Sequence, residues 1–311
     1  MNLSPRIVAS PSVTVRAPAK INLHLGVGAP REDGFHPLDT VFQAVGLFDD
    51  VRADHGDGSV TVEPASYLPD SVVATLADPS DNIVVRAARL LGQTADADPA
   101  LVDLLIEKRI PVAGGMAGGS ADAAAALVAL DRLWELATSD DDLLRLAAEL
   151  GSDVPFALLG GTAHGTGRGE RLHALGDPAT WWWVVVPSPE GLSTPAVYRR
   201  FDEMFPDAPA TPASSAGVVA ALASEDPGHL AAALHNDLEA PAIDLRPELG
   251  DLITAGEDAG ALRGLVSGSG PTVVLLCESG DHARDLADRL QDDDLPVVLV
   301  ANGPVAGAHV L

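Results

Sequence analysis

The chain has 311 residues, of which 47% are hydrophobic and 21% charged, a balance typical of a globular protein with one large or two ordinary domains. Acidic residues outnumber basic residues 45 to 19, giving a formal net charge of −26, so we expect neither nucleic acid nor an anionic membrane as a partner. No apolar run approaches the roughly 18 residues that span a bilayer, and no signal-peptide pattern is present, so the sequence predicts a cytoplasmic protein.

The N-terminal sequence predicts a series of β-strands. The stretch "SVTVRAPAKINLHLGVG" alternates twice between apolar and polar residues, with a break at Pro18, and therefore indicates two successive strand segments. A turn at Asp33-Gly34 precedes "FHPLDTVFQAVGLFDDVRAD", which is typical of one or two further strands. The short "SVTVEP" predicts another strand.

Helical patterns follow, interrupted by one strand. The stretches "DNIVVRAARLLGQ", 120–137 and "DDLLRLAAELG" have apolar residues at helical spacing, and Ser139 is a suitable N-cap for the third. Between the first two lies "LVDLLIEKRIP", which predicts a strand. The glycine-rich "PVAGGMAGGSADAA" therefore connects a strand to a helix, with Ser120 as the predicted N-cap.

The C-terminal part has the pattern of a second α/β unit with a helical insert. The sequence "GGTAHGTGRGE" predicts hairpin turns, and the apolar "TWWWVVVP" predicts a buried strand that begins the second unit, so we expect domains at 1–178 and 179–311. The stretch 205–216 predicts a flexible loop, and the single Cys277 predicts a core residue. The remaining predicted elements are helices at 194–204, across 215–258 and at 281–291, and strands at 262–267, 272–277 and 296–301.

The glycines that precede the predicted helix at 120–137 suit an anion-binding loop. Glycine allows a ligand to approach the backbone closely, and a helix N-terminus presents free N–H groups and the positive end of the helix dipole. Two familiar phosphate motifs do not fit, because the loop has no lysine and its G-G-x-x-G-G spacing differs from the dinucleotide fingerprint. The alternative is a tight turn in which the glycines serve backbone geometry alone.

Several polar residues allow both a structural and a catalytic interpretation. Lys20 is one of only two lysines among 19 basic residues, and a compact ammonium suits a tight site, but Lys20 and Asn22 are also compatible with a solvated sheet edge. Asp153 precedes a short apolar helix, where it is either an N-cap or a carboxylate that removes a proton from a substrate hydroxyl. His36 follows the aromatic Phe35, and the histidine spacing does not indicate a metal site.

Five motifs, taken in order, resemble those of one enzyme family. "PAKINL", "DGFH", "PVAGGMAGGSADAA", "GSDVPF" and "SGSGP" resemble the motifs of the GHMP kinases, and "PAKINL" with "DGFH" is similar to the branch that phosphorylates 4-diphosphocytidyl-2-C-methyl-D-erythritol in the non-mevalonate isoprenoid pathway. The resemblance implies an α+β fold of two domains, the first like domain 2 of ribosomal protein S5 and the second ferredoxin-like with a helical insert. It also implies ATP as co-substrate, Mg²⁺, and this cytidyl alcohol as the small-molecule substrate.

The resemblance also implies a role for each matching residue. Lys20 and Asp153 match the catalytic pair, in which the carboxylate takes the hydroxyl proton while the ammonium offsets charge on the phosphoryl group. The residues that match positions around the cytidine are Asn22, Phe35, His36, Thr194 and Tyr198. Those that match ATP-binding positions are Asn82, Lys108, Pro111, Val112, Ala113, Gly114, Gly115, Met116, Ala117, Gly118, Gly119, Ser120 and Ala121. No protein ligand for Mg²⁺ is implied.

Some features leave alternatives open. Asp122 puts a negative charge beside the predicted phosphate loop, which is expected to weaken ATP binding unless Mg²⁺ or a neighbouring donor offsets it. The alternative enzyme is another GHMP kinase that acts on homoserine or a mevalonate-type alcohol, and the alternative of a different class is a non-catalytic nucleotide-binding sensor. We expect a monomer or a weak homodimer.

Overall fold

The computed structural model describes residues 12–68, 82–95, 97–112, 114–292, 295 and 297–311. Within this part of the chain the strands form two sheets, one of eight strands and one of four. The content is mixed helix and strand, as the sequence predicts, and none of the described helices is long and apolar enough to cross a membrane.

The first sheet is built on two long antiparallel strands, β1 (Ser12–Val27) and β2 (Leu38–His55). Its order is β12-β1-β2-β4-β3, with β5 and β6 continuing from β2 and with β8 also paired to β1. The other strands of this sheet are β3 (Val60–Pro64), β4 (Val102–Lys108), β5 (Thr162–Gly167), β6 (Arg171–Leu175), β8 (His235–Asn236) and β12 (His309–Val310).

The prediction of two strand segments separated at Pro18 is wrong, because β1 continues through this residue as one strand. The pairing with β2 shifts register between Pro18 and Ala19, and again between Asn22 and His24. A bulge accommodates proline, which has no N–H for the ladder, and it re-aims the neighbouring side chains. Lys20 and Asn22 therefore lie between two irregularities of the strand pairing.

The described residues before β5 form four α-helices: α1 (Ile83–Ala95), α2 (Gly118–Leu133), α3 (Asp140–Leu150) and α4 (Val154–Leu159). The run Ala123–Ala126 in α2 is fully buried on all sides of the helix. Its small side chains allow α2 to lie directly against β1 and β2, so α2 is the central helix of the domain. Ser139 caps α3 by accepting a hydrogen bond from the Asp142 N–H, which confirms that prediction.

α2 begins earlier than predicted, and the prediction that Ser120 caps it is wrong. The helix starts at Gly118, so Ser120 is its third residue, and the preceding Ala117 has a left-handed φ of 57°. The helix also ends before Glu135, whose φ of 54° is incompatible with a continuing helix. The glycine loop therefore enters the helix through a left-handed alanine, which the helix propensities do not predict.

The second sheet has the order β11-β7-β10-β9, with every pairing antiparallel, which is the ferredoxin-like arrangement. Its strands are β7 (Trp181–Val186), β9 (Arg263–Val266), β10 (Val273–Cys277) and β11 (Leu299–Gly303). The helices are α5 (Thr194–Met204), α6 (Ala216–Leu222), α7 (Pro227–Ala233), α8 (Glu239–Leu245), α9 (Glu248–Asp258) and α10 (Gly280–Asp292). The predicted helical insert and return strand are confirmed, and Cys277 is buried.

The two sheets share buried contacts. Trp183 of β7 is fully buried in the same hydrophobic cluster as Ile21 of β1, and its indole N–H donates to Gln43 Oε1 at 3.1 Å. The stretch predicted as a flexible loop, 205–216, lies against β1, where His24 Nε2 bonds to the Ala213 carbonyl at 3.0 Å. The predicted domain boundary between residues 178 and 179 stays a prediction.

Candidate active site

A cavity of about 810 Å³ opens where β1, the glycine loop after β4, the start of α2 and the turn between β9 and β10 meet. Most of the residues that the sequence singled out line it, and they come from both domains. These are Lys20, Asn22, Asn82, Lys108, Pro111, Val112, Gly114, Gly115, Ala117, Gly118, Gly119, Asp153, Thr194 and Tyr198.

Five of the remaining predicted residues do not line this cavity. Met116 and Ala121 are fully buried in the core beneath the loop, and Met116 contributes only its carbonyl, which accepts a hydrogen bond from the Lys20 backbone N–H at 3.1 Å. Ser120 is partly exposed on α2. Phe35 and His36 also lie outside the cavity lining, and Ala113 lies outside the described residues.

The glycine loop is fixed to both domains by its backbone. Gly115 has a φ of 76°, and a Cβ there would collide with the Ser267 carbonyl, so the position requires glycine. The Gly114 carbonyl accepts a hydrogen bond from Thr272 N at 3.2 Å. Beyond the loop, the first N–H groups of α2 have no partner within the helix and face the cavity at Gly118 and Gly119, which is the arrangement that binds anions.

Lys20 is buried, and hydrogen bonds fix its ammonium. Nζ donates to Asn22 Oδ1 at 2.7 Å and to the Gly115 carbonyl at 3.0 Å, and Asn22 in turn donates to Thr40 Oγ1 at 2.8 Å. Burial lowers the pKa of Lys20, and the carboxylate of Asp153 opposes this effect. Lys20 and Asn22 are both buried and are held by these hydrogen bonds. The alternative prediction, that they lie on a solvated sheet edge, is therefore wrong.

Asp153 stands opposite Lys20, with Oδ2 3.9 Å from Lys20 Nζ. It occupies the N-cap position of α4, but its side chain makes no capping hydrogen bond and is about one-third exposed. The structural alternative of a helix cap therefore does not account for this carboxylate. Its oxygens are available to Lys20 and to a bound ligand, which is what a general base requires.

A second buried lysine lies at the other end of the loop. The Lys108 ammonium binds Asp49 of β2, and it binds Asp122 of α2 at 2.6 Å. Asp49 Oδ1 also accepts the backbone N–H groups of Arg109 and Ile110, at 2.5 and 2.7 Å. Although burial opposes its charge, the two carboxylates hold the pKa of Lys108 above its ordinary value. Lys108 is thus the neighbouring donor beside Asp122, and its single positive charge is shared with Asp49.

His36 and Tyr198, two of the residues matched to the cytidine end, pack against each other, with ring centroids 4.9 Å apart. His36 Nδ1 bonds to the Gly28 carbonyl at 2.8 Å, and Tyr198, which faces the cavity, has its pKa raised by burial and by Asp153. Thr194, one turn before Tyr198 on α5, is hydrogen-bonded to Ser269 at 2.8 Å. Asn82 bonds to the Val84 N–H at the start of α1.

Sequence reasoning missed Arg168, which lines the cavity from the β5–β6 turn. Its guanidinium lies 4.8 Å from the centre of the Phe35 ring, and Phe35 is half-exposed. The sequence signal was present in "GTGRGE", where glycines on both sides of an arginine indicate a tight turn that presents it. Arg168 adds a cation to a cavity that would receive phosphate groups.

The described residues offer few ligands for Mg²⁺. They contain no cluster of three or more acidic, histidine or cysteine side chains that could hold a metal ion. Of the two carboxylates that line the cavity, Asp122 is already bound to Lys108 and Asp153 faces Lys20. Mg²⁺ commonly binds to substrate phosphates, to water and to one or two carboxylates of the protein. The few carboxylates of this cavity fit such an arrangement.

Comparison with known proteins agrees with this geometry. The family model for the GHMP kinases N terminal domain matches residues 82–161, and that for the GHMP kinases C terminal domain matches residues 218–294. The chain is 66% identical over 298 residues to 4-diphosphocytidyl-2-C-methyl-D-erythritol kinase of Nocardioides sp. (strain ATCC BAA-499 / JS614), with 96% of this chain and 99% of that protein covered.

Two solved structures are also similar. The crystal structure of a 4-(cytidine 5'-diphospho)-2C-methyl-D-erythritol kinase has a TM-score of 0.75 and 34% identity, covering 93% of this chain and 98% of that one. Homoserine kinase from Cytophaga hutchinsonii has a TM-score of 0.70 with full coverage of both chains. At 21% identity, the likeness to homoserine kinase shows the fold alone.

Proposed function

Since the chain belongs to the GHMP kinase family, and within it to the 4-diphosphocytidyl-2-C-methyl-D-erythritol kinases, we propose that it transfers the γ-phosphoryl group of ATP to the 2-hydroxyl of that cytidyl alcohol. In this reaction the hydroxyl oxygen bonds to the γ-phosphorus, the bond from that phosphorus to the bridging oxygen of ADP breaks, and a base receives the hydroxyl proton. The fold-only likeness to homoserine kinase carries no argument for that substrate.

Asp153 is the base in this proposal. Its side chain makes no capping hydrogen bond and is partly exposed in the cavity. A carboxylate oxygen can therefore accept the proton of a substrate hydroxyl that lies within hydrogen-bond distance. The Lys20 ammonium has three donors, of which Asn22 and Gly115 occupy two. The third donor is available to the transferring phosphoryl group or to the hydroxyl oxygen, where it offsets developing negative charge.

The start of α2 supplies the phosphate site. The N–H groups at Gly118 and Gly119 and the helix dipole favour a polyphosphate there, and the fixed backbone of the loop limits the reorganisation needed to bind it. Mg²⁺, when bound with ATP, supplies further neutralisation of the phosphate charge. Asn82 and Lys108 also line the cavity, and the family resemblance assigns them to the adenosine side.

The cytidine end is assigned to Tyr198 and Thr194, with Asn22, Phe35 and His36 around them. Tyr198 lines the cavity, where it can contact a base, and His36 lies outside the lining and packs against the Tyr198 ring. Phe35 lies outside the lining with its ring beside Arg168. Its half-exposed ring is held beside the Arg168 guanidinium and not in the cavity.

The observation that carries the proposal is the Lys20–Asp153 pair, 3.9 Å apart, in one cavity with the anion-binding start of α2. The test is an assay of ADP release in which the cytidyl alcohol, homoserine and mevalonate are offered side by side. We expect ADP release with the cytidyl alcohol alone, and phosphorus NMR of the product locates the new phosphate on the 2-hydroxyl. ADP release with homoserine or mevalonate, and none with the cytidyl alcohol, would overturn the substrate assignment.

The remaining expectations about partners stay proposals. The chain has 45 acidic and 19 basic residues, and this negative charge disfavours both nucleic acid and anionic membrane as partners. An ATP-dependent reaction on a charged diphosphate supports a cytoplasmic location. We propose a monomer or a weak homodimer, which sedimentation at several protein concentrations would test.

A further inference from the structure

The buried cluster of Lys108, Asp49 and Asp122 lies directly beneath the proposed phosphate site. A Cβ on Gly118, the first residue of α2, would be 2.9 Å from Lys108 Nζ, so the ammonium takes the space that a side chain would fill. Asp122 follows one helical turn later on the same face and lines the cavity. With both carboxylates ionised, the cluster would carry one net negative charge in a buried position next to bound phosphates.

We propose that Asp122 holds a proton in the nucleotide-binding form of the protein, so that the cluster is neutral and the phosphate loop above it accepts a polyanion. Asp122 does not contact the reacting atoms in this proposal. It affects nucleotide binding through the net charge of the cluster beneath the loop. The inference rests on the proposed function only in taking a nucleoside polyphosphate as the ligand.

The hydrogen bonds decide which carboxylate is protonated. Asp49 accepts from Arg109 N and Ile110 N on one oxygen and from Lys108 on the other, so its ionised form is fully satisfied and a proton would displace a donor. Asp122 accepts from Lys108 on Oδ2 alone, while Oδ1 is buried with no partner among the described residues. A bare buried carboxylate oxygen is far more costly than a hydroxyl, so Oδ1 is the position for the proton.

The surrounding charges agree with this assignment. Burial raises the pKa of Asp122 to about 8, and Asp49 of β2 adds to this effect while Lys108 at the end of β4 opposes it. Tyr67, in the segment after β3, has its pKa raised to about 12 by burial and by Asp49, so it stays neutral beside the cluster. Within the described part of the chain, Asp49 and Lys108 are the two ionisable groups that shift the pKa of Asp122.

The test is calorimetry of Mg²⁺–ADP binding in buffers of different ionisation enthalpy, from about pH 7 to about pH 9, where the ligand phosphates are already largely ionised. We expect wild type to take up protons on binding, with little uptake at the low end and up to about one proton per nucleotide at the high end. Because only the protonated form accepts the polyanion, the apparent Kd should rise by up to about tenfold for each pH unit above the pKa.

Asp122→Asn copies the neutral acid, since its amide oxygen can accept from Lys108 and its NH₂ replaces the hydroxyl. We expect this variant to bind with no proton uptake from the cluster and with a nearly pH-independent Kd. The matched control is Asp131→Asn, a carboxylate on the same helix that is equally buried but bonds to Thr138 N at 2.9 Å instead. This control should keep the wild-type proton uptake and pH profile.

Wild type that binds nucleotide without proton uptake would overturn the inference while leaving the proposed function intact. Uptake that persists in Asp122→Asn would also overturn it and would indicate another group, such as Lys20, whose pKa is lowered by burial. If wild type binds no nucleotide at any pH, the proposed function and this inference both fail. An infrared band of a protonated carboxyl, present in wild type and absent from Asp122→Asn, gives a second readout that does not depend on binding.

Discussion

The two lysines of this chain line one cavity, Lys20 near Asp153 and Lys108 beneath Gly118, and their surroundings differ. Lys20 has neutral oxygens as its hydrogen-bond partners, with one carboxylate, about one-third exposed, 3.9 Å away, and burial lowers the pKa of Lys20. Lys108 is bound directly by two buried carboxylates, which hold its pKa high. The comparison shows that a buried lysine is chemically available when its counter-ion stands apart from it, and structural when its charge is already matched.

The largest expected effect is that of Asp153→Asn at the Lys20 end. Loss of a positioned general base should lower kcat by roughly 10²–10⁴-fold. Nucleotide affinity and Tm should stay near wild type, because the side chain makes no capping hydrogen bond. Steady-state kinetics with thermal unfolding measure both, and exposed Asp142→Asn serves as the control. Turnover within a few-fold of wild type would show that Asp153 is not the base.

At the Lys108 end, Asp49→Asn should act on stability. An amide presents an NH₂ group to donors that need an acceptor, namely Lys108 and two backbone N–H groups. Breaking a buried ion pair in this way costs about 3–5 kcal/mol in the free energy of unfolding, which urea titration measures. Asp54→Asn on the same strand, whose partner Arg52 is exposed, should cost about 1 kcal/mol or less. Equal losses in the two variants would contradict the comparison.

Exchanging each lysine for arginine separates the two ends further. Lys20→Arg keeps the charge but places a planar fork where Asn22 and Gly115 fit a compact ammonium. Misplacement by about 1 Å costs on the order of 10²-fold in kcat, with little change in Tm. Lys108→Arg should instead lower Tm, because the buried ammonium is already bound by Asp49 and Asp122, and a larger guanidinium does not fit between them. A fully active Lys20→Arg would refute the role given to that ammonium.

The smallest effects are expected at the cytidine end. His36→Ala and Tyr198→Ala should each weaken binding of CDP by about tenfold to a hundredfold, since a lost base contact is worth roughly 1–3 kcal/mol. Affinity for a non-hydrolysable ATP analogue should be unchanged in both. Phe205→Ala, which removes an exposed aromatic just after α5, is the matched control. Unchanged CDP affinity in both variants would exclude these residues from the cytidine site.

The sequence predicted the strands and helices well because their patterns follow the periods of the elements themselves. The apolar run of β7, the helical spacing of α1 and the cap of α3 are all local signals. The predictions were wrong where contacts with residues distant in the sequence determine the backbone conformation. Pro18 is held in a continuous strand by pairing with β2, and Ala117, not Ser120, precedes α2 because the loop is fixed by contacts to the β9–β10 turn.

The residues of the candidate active site, like the strands and helices, were predicted in part from the sequence. Lys20, Asp153 and the glycine loop were found from rare residue types and motif order, and the structure brings them into one cavity. The partnership of Lys108 with Asp49 was not predictable, because the two are 59 positions apart and each looks like an ordinary charged residue near a strand end. Phe35 was matched to the substrate by its motif, but side-chain packing places it outside the cavity.

The pairing of β1 with β8 and β12 has a consequence for dividing the molecule. The chain leaves the first sheet after β6 and returns to it as β8, then leaves it again and returns as β12, so four separate passages cross between the two sheets. A fragment that ends near residue 178 would lose both short strands and expose the backbone of β1 along one edge. We therefore expect that neither half of the chain folds as a stable fragment by itself.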